Sequence, residues 1–428
     1  FPMGLRLRLL ASPIMALWRL WAGKTTEEGL REVLPGRDAE SNRLRSFVSG
    51  LWIDSGSPPS RMSYWMQAAV FGGFQKVGVG YPRGGPQLLA AEMVEAIEAR
   101  GGAVFVRAPV QRIVLDRAGR ASGIELQDGT VVSAARVVSG AGFRATASLL
   151  PADVSRACRP LDTKQSDGFV MANVGLEGSA EELGISRSST WLQPASADNE
   201  YDSFAGIDAF QADPLGVPAR MVPMGITFPS MKDTQPRAEP LRHHTCQILV
   251  SAPYKWFAAH MADDADEHGV TAHSKGARHA PPHVTRRDER KYAELKAAWG
   301  ERLTSVLHDL FPGTAGRVAF VDVSTPLTIE NYLRSGGGAG VGLDVTPARF
   351  VDAKEVAQLD AKFAGVPGLW LAGQDSLMCG QIIAAASGLI TALRILGPLR
   401  MLQFGVRAAR LLLSPLIHEL IFARAKAA

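Results

Sequence analysis

The 428-residue chain is poor in cysteine, with Cys158, Cys246 and Cys379 far apart and no C-x-x-C pair among them. That excludes a disulfide framework and a redox-active dithiol, and it fits a reducing compartment. An excess of one charge is lacking too, since 46 Lys and Arg face 42 Asp and Glu for a net charge of +4. So mild a balance, without zinc-finger, helix-turn-helix or RNP-like patterns, argues against a nucleic-acid partner. No G-x-S-x-G elbow is present, and Asp375-Ser376 has no evident histidine partner, which disfavours a hydrolase. With 46% hydrophobic and 21% charged residues, the chain is globular and long enough for two or three structural units.

The most informative stretch is Gly368-Leu369-Trp370-Leu371-Ala372-Gly373-Gln374-Asp375, followed by Cys379-Gly380-Gln381-Ile382-Ile383-Ala384-Ala385-Ala386-Ser387-Gly388. It reads as a buried strand, a tight glycine turn, an acid, and a helix that opens on small residues. Gly373 permits a turn with positive φ or close approach of a ligand. Asp375 is placed to accept from ribityl or ribose hydroxyls, and the N–H groups of Gly380, Gln381 and Ile382 to face a pyrophosphate or a flavin carbonyl. An ordinary strand-to-helix connection, whose acid favours the helix dipole, accounts for the same residues.

A second passage, residues 81–150, contains Tyr81-Pro82-Arg83-Gly84-Gly85, Gly101-Gly102-Ala103-Val104, Pro109-Val110, Asp128-Gly129 and Val137-Val138-Ser139-Gly140-Ala141-Gly142. In order and spacing these elements resemble the phytoene desaturase and retinol saturase group of FAD-dependent oxidoreductases. Three more passages bring it nearest to the retinol saturase branch: Leu51 to Pro59, Ile226-Thr227-Phe228-Pro229-Ser230-Met231-Lys232-Asp233, and Thr325 to Leu333. The resemblance covers most of residues 40–395 and thins over 178–205 and 262–290.

The resemblance implies an α/β fold: a flavin-binding Rossmann-like domain and a discontinuous α+β substrate domain. The family begins with a strand, a G-x-G-x-x-G turn and a helix that hold the FAD pyrophosphate. This chain has none; Gly78 to Gly84 has the wrong spacing, and Gly336 to Gly342 runs into Asp344 and Pro347 rather than a helix. With Phe1 at its start, the chain is expected to be truncated, its first βαβ unit missing, and alone to be largely free of flavin and inactive. The expected division is 1–78 substrate and membrane-facing, 79–150 FAD-binding, 151–335 substrate, 336–397 FAD-binding again, and 398–428 a basic amphipathic tail. Within 79–150, helix-spaced Leu88, Leu89, Met93, Val94 and Ile97 predict a helix, with strands expected at 103–107, 111–115, 122–126 and 135–138 and a hairpin at Asp128-Gly129.

By resemblance the cofactor is FAD, held by Gly373, Gln374, Asp375, Gly380, Gln381 and Ile382, with the backbone of Val110 meeting the adenine. The substrate implied is an apolar polyene such as a retinoid or carotenoid, saturated or desaturated at C=C/C–C bonds. Tyr332 and Tyr81 are the candidate proton donors, and anchoring tyrosines are the plainer reading of both. Phe169, Trp191, Phe204, Phe210, Phe228, Trp256 and Phe257 either line an apolar tunnel or fill the core. Two other classes stay open: a cofactor-less lipid- or membrane-binding remnant, and an amine-oxidase-like flavoenzyme.

Seven of the nine histidines lie between His243 and His283, yet Pro281 and Pro282 break the H-x-x-x-H spacing of His279 and His283, so no metal is expected. At the C-terminus Arg394, Arg400, Arg407, Arg410, Arg424 and Lys426 oppose only Glu419, and burying several arginines in a bilayer centre costs about 2.5–3.5 kcal/mol each. Arg400, Gln403, Arg407, Arg410 and Ser414 form one helical stripe up to Pro415, which suits a peripheral helix on a membrane's cytoplasmic face or a helix docked on the core. Phe1 to Trp21, with Arg6, Arg8 and Arg19 and no acid, supports the membrane reading and does not resemble a cleaved signal peptide.

Overall fold

The computed structural model describes residues 13–157, 161–194, 202–235, 241–258, 289–363 and 365–409. Its strands are β1 (Val110–Leu115), β2 (Ala121–Leu126), β3 (Val131–Ser133), β4 (Val137–Ser139), β5 (Gly168–Glu177), β6 (Thr190–Leu192), β7 (Met224–Thr227), β8 (His243–Ala252), β9 (Val318–Ser324) and β10 (Leu369–Leu371). The helices that matter for the sites are α1 (Gln87–Glu98), α2 (Phe143–Ser148), α3 (Glu289–Leu310), α4 (Pro326–Leu333) and α5 (Gln381–Leu396). The chain forms two compact units, each discontinuous in sequence: Phe1–Pro109 with Arg159–Ala357, and Val110–Cys158 with Gln358–Ala428.

The larger unit is built on a five-stranded sheet in the order β6-β7-β8-β5-β9, whose recorded pairings are all antiparallel. Alternation along β5 and β8 sends Ala172, Val174, Cys246, Ile248 and Val250 to one face, where Met224, Ile226 and Val323 join them in the core. Tyr292, Trp299, Leu303, Val306 and Leu307 of α3 cover that face, a stripe at helical spacing in which each residue is at most 2% exposed. Sheet register therefore decides what the opposite face carries. There Trp191, Gly225, Leu249 and Met171 lie across from one another, and the next row on the same face is Thr227, Gln247, Asn173 and Asp322.

The smaller unit holds the antiparallel sheet β1-β2-β3 and the parallel pair β4–β10, with Val137, Val138 and Ser139 opposite Leu369, Trp370 and Leu371. The predicted hairpin at Asp128-Gly129 is present: Gly129 has φ 86° and the Asp128 carboxylate accepts from the Thr130 N–H at 2.9 Å.

Three features differ from the sequence expectation. Residues 103–107 form no strand, and Val104, Phe105 and Val106 are exposed; a strand needs a neighbour for its backbone groups, and no strand pairs with this segment among the described residues. Helix α1 forms as predicted, but none of its residues is buried. The third difference is the division into units, which places 79–109 and 336–357 with the large sheet rather than with β4–β10. Side-chain chemistry explains it: the Gly84 N–H donates to Asp233 at 2.9 Å, and Arg61 bridges Asp167 at 3.1 Å and Asp344 at 2.6 Å. Backbone bonds from Asp344 to Lys164 and from Ser63 to Val345 complete the attachment of the glycine-rich segment.

Candidate flavin and ligand sites

In the smaller unit the predicted strand, turn and helix are all present, and the turn is built as the sequence suggested. Gly373 follows β10 with φ 94°, and its N–H donates to the Ser387 hydroxyl of α5 at 2.6 Å. The Thr391 hydroxyl donates to the Leu371 carbonyl at 2.7 Å, so two small polar residues seat α5 against the end of the strand. Helix α5 starts after Gly380 (φ 103°) with no side-chain cap on its first turn. Its opening residues Gly380, Gln381 and Ile382 are exposed, Ile382 by 73%. An uncapped helix start presents unpaired backbone N–H groups and the positive end of the helix dipole, which suits an anionic or carbonyl oxygen. Glycine turns and donors without side-chain caps fit a flavin nucleotide.

Asp375 is only 4% exposed, and its Oδ2 accepts from the Phe143 N–H at 2.8 Å. It thus caps α2, the helix that follows β4, rather than the helix that follows it in sequence. Gly142, at φ 90°, makes the approach possible, because a Cβ there would lie 2.7 Å from Asp375 Oδ2. The neighbouring Gly373 lies in ordinary contact with the turn after β4, with Gly140 O 3.5 Å from where its Cβ would stand. Asp375 and Gly373 therefore join the turns after β4 and β10 into one glycine-lined corner. Gln374 belongs to that corner, whereas Val110 stands at the start of β1, paired with Leu126 and 37% exposed.

The two candidate tyrosines are not alike. Tyr332 is 78% exposed near the end of α4, whose buried face carries Leu327 and Glu330, and Tyr81 is half-buried. Sequence reasoning missed two tyrosines that do hold polar partners: Tyr254 donates to Glu330 at 2.7 Å, and the Tyr292 hydroxyl lies 2.6 Å from that of Thr325. Of the seven aromatics, Phe210, Phe228 and Phe257 lie in the core and Phe204 is buried on its helix. Phe169 and Trp191 lie half-buried on the face of the large sheet away from α3. For Phe169 and Trp191 the placement is set by strand parity, whereas Phe204 and Phe210 lie on the helix Ser203–Ala212, and a list of aromatics contains neither fact. Among the described residues no group of three or more His, Cys, Asp or Glu is placed to hold a metal; His260 to His283 lie outside them.

The model of the family described as flavin containing amine oxidoreductase matches residues 23–174. The all-trans-retinol 13,14-reductase of Macaca fascicularis is 30% identical over 382 residues, 86% of this chain and 57% of that protein. The chain resembles the retinol 13,14-reductases over most of its length. It spans somewhat more than half the length of these relatives. A neurosporene-forming phytoene desaturase of Rhodobacter capsulatus is 27% identical over 63% of this chain and 45% of its own. The fold is shared with a putrescine oxidase structure, which aligns with a TM-score of 0.50 at 15% identity, over 90% of this chain and 70% of its own. These matches bear out the family resemblance and the α/β flavoenzyme fold read from the sequence, and they imply a flavin cofactor.

Proposed function

We propose that the protein is an FAD-dependent oxidoreductase acting on C=C/C–C bonds of an apolar polyene, a retinoid or a carotenoid. The observation that carries this reading is the corner formed by Gly373, Asp375, Gly142 and the uncapped start of α5, in a chain that resembles retinol reductases along most of its sequence. FAD, when bound, supplies the flavin ring that takes or gives a hydride. The residues of this chain bind and orient. The N–H groups of Gln381 and Ile382 would receive flavin or phosphate oxygens, Gly373 and Gly380 keep the backbone free of side chains at the contact, and Asp375 with Gln374 fixes the corner. The backbone of Val110 is assigned to the adenine by resemblance.

Proton delivery falls to Tyr81 before Tyr332, because a half-buried phenol is better shielded from bulk water than one that is 78% exposed. For the ligand face we assign the half-open side of the large sheet, where Trp191, Leu249 and Met171 offer an apolar surface. A peripheral membrane location on the cytoplasmic face belongs to the same proposal. Residues 398–409 are helical and place Leu399, Leu402, Phe404 and Val406 in the open beside Arg400 and Arg407. Arg410, Ser414 and Pro415 of the expected stripe lie outside the described residues, as does the Phe1 to Ser12 part of the start. No described helix is long and apolar enough to cross a membrane.

The test is the absorption spectrum of the full-length protein, followed by anaerobic and aerobic incubation with retinol, a carotenoid and a primary amine. Flavin bands with a changed polyene chromophore support the reading. Turnover of the amine alone would replace it with the amine-oxidase alternative, and a protein that binds retinol but never flavin would replace it with the lipid-binding one.

A further inference from the structure

Residues 336–342, Gly-Gly-Gly-Ala-Gly-Val-Gly, follow α4 and take no part in the flavin corner. They pass around the start of β5. A Cβ on Gly168 would stand 2.4 Å from the Gly338 carbonyl oxygen, and a Cβ on Gly340 would stand 2.1 Å from the Phe169 ring. Gly168 and Phe169 are consecutive strand residues and point to opposite faces, so the segment touches both sides of the strand. Phe169 shares the open face with Met171, two residues further along β5. The Gly340 backbone therefore covers the ring that borders the Met171 row.

Ordering glycine costs more conformational freedom than ordering any other residue, and five of these seven residues are glycine. What holds them converges on Asp167. Its backbone carbonyl accepts from the Gly340 N–H at 3.2 Å, and the neighbouring Ser166 N–H donates to the Gly342 carbonyl at 2.8 Å. The Ser166 hydroxyl accepts from the Val341 N–H at 3.3 Å. The Asp167 carboxylate lies 3.1 Å from Arg61, whose guanidinium also reaches Asp344, just beyond the segment, at 2.6 Å. Asp167 is 8% exposed and Asp344 2%, so one half-buried guanidinium serves two buried acids.

Asp167 Oδ2 is buried with no hydrogen-bond partner among the described residues. A buried oxygen without a donor favours the neutral acid over the carboxylate. Desolvation pushes the Asp167 pKa up, Arg61 opposes the rise, and the charge of Asp344 adds to it. The remaining charge that acts on it is Lys255, which is exposed. Arg349 lies beside the same turn and donates to the Leu343 carbonyl at 2.6 Å.

We propose that residues 336–342 are a strap over the Phe169 end of the open face, latched by Arg61 between Asp167 and Asp344, and that the strap is closed while Asp167 holds its proton and loosens when that proton leaves. With Asp167 neutral, Arg61 and Asp344 balance each other. Once it ionises, two buried negative charges share one guanidinium, and uncompensated buried charge is destabilising. Because the folded pKa is raised, the stability lent by this proton is complete below the unfolded carboxylate pKa and is lost as pH rises through the folded value. That the strap gates a ligand rests on the reading of the open face given above.

Hydrogen exchange of the full chain, compared as protection factors between pH 4 and pH 8, tests the latch without any ligand. Protection of peptides spanning 334–345 is expected to fall several-fold more than that of β7 and β8 peptides from the same unit. Asp167→Asn, which fixes the neutral form, should keep the strap at its acid-pH protection throughout, and Arg61→Gln should loosen it at every pH. A strap that follows pH no more than β7 and β8 do, or a dependence that persists in Asp167→Asn, overturns the latch. The wild-type comparison decides the matter even if a variant does not fold. Association of retinol, followed by energy transfer from tryptophan, should quicken with pH in step with the strap. Association indifferent to pH in a chain whose strap does loosen overturns the assignment of the ligand to this face and leaves the latch standing.

Discussion

Replacing Asp375 separates a structural carboxylate from a ligand-binding one. The side chain is nearly fully buried and takes the Phe143 N–H at 2.8 Å, so Asp375→Ala leaves that donor facing the space once filled by a charged acceptor. A hydrogen bond to a charged group contributes about 1.5–3 kcal/mol, and a buried donor left unpaired costs a similar amount. We expect a loss of ~2 kcal/mol, felt first where α2 meets the strand turn. With two units in the chain, a single global melting curve is a poor gauge, and hydrogen exchange is the better one. Peptides covering residues 140–148 should exchange about thirtyfold faster in Asp375→Ala, the factor that ~2 kcal/mol implies, and Asp375→Asn, which keeps an acceptor oxygen, should fall between.

Gly142 gives the same contact a second handle. Its φ of 90° disfavours any other residue, at a cost of about 1–3 kcal/mol, and its Cβ would meet the carboxylate at 2.7 Å. Gly142→Ala should therefore cost about 1 kcal/mol less in the Asp375→Ala background than in the wild type, because the clash is gone while the backbone strain remains. Unchanged exchange in Asp375→Ala, with flavin affinity alone reduced, would refute the capping role and make the carboxylate purely a cofactor ligand.

Asp54→Asn should stabilise the chain in alkaline solution. Desolvation by the surrounding protein raises the folded pKa of Asp54 to about 6, above the usual unfolded value of about 3.9, so the folded state holds the proton more tightly; the stability this lends is complete below pH ~4 and lost as pH rises through 6. By hydrogen exchange in the larger unit, the variant should match wild type at pH 4 and exceed its protection by ~1 kcal/mol at pH 8, a figure discounted because the residue is exposed; no gain at pH 8 would remove the desolvation argument. Burial pushes the Cys246 thiol up to about 12, so iodoacetamide at pH 8 should leave it unmodified until the large sheet unfolds, as read by mass spectrometry. Trp299→Ala empties the centre of the α3 face and should cost about 3–5 kcal/mol, read from hydrogen exchange of β5 and β8 peptides, and a loss below 1 kcal/mol would mean that α3 does not seal the sheet.

Local chemistry was legible in the sequence, and partners remote along the chain were not. The Asp128-Gly129 hairpin, the glycine turn after β10 and the small-residue start of α5 each follow from residues within a few positions of one another. Asp375 was picked out as functional from its place after that turn, but its partner Phe143 lies 232 positions away and nothing near either residue announces the pairing. Alternation in β5 and β8 shows which residues share a face, yet the order β6-β7-β8-β5-β9 could not be read from it, so Thr227, Gln247 and Asn173 gave no sign of forming one row. Residues 103–107 show the converse: a sequence suited to a strand remains unpaired when no neighbour is supplied.

The large sheet ties stability and the proposed ligand face to a single variable, its register. On β5, Ala172 and Val174 face α3 while Met171 and Asn173 face the open side, and on β8 the same division separates Ile248 and Val250 from Gln247 and Leu249. A slip of one residue would bring Asn173, Gln247 and Thr227 against Trp299 and Leu303, where each unpaired amide or hydroxyl costs about 1–3 kcal/mol, and would turn the core aliphatics outward. The packing of α3 therefore rejects every slip by an odd number of residues from the register that lines up the polar row of Thr227, Gln247 and Asn173. The ten-residue pairing of β5 with β8 makes this placement stiff, so a ligand on the open face meets side chains already held in position by a core it never touches.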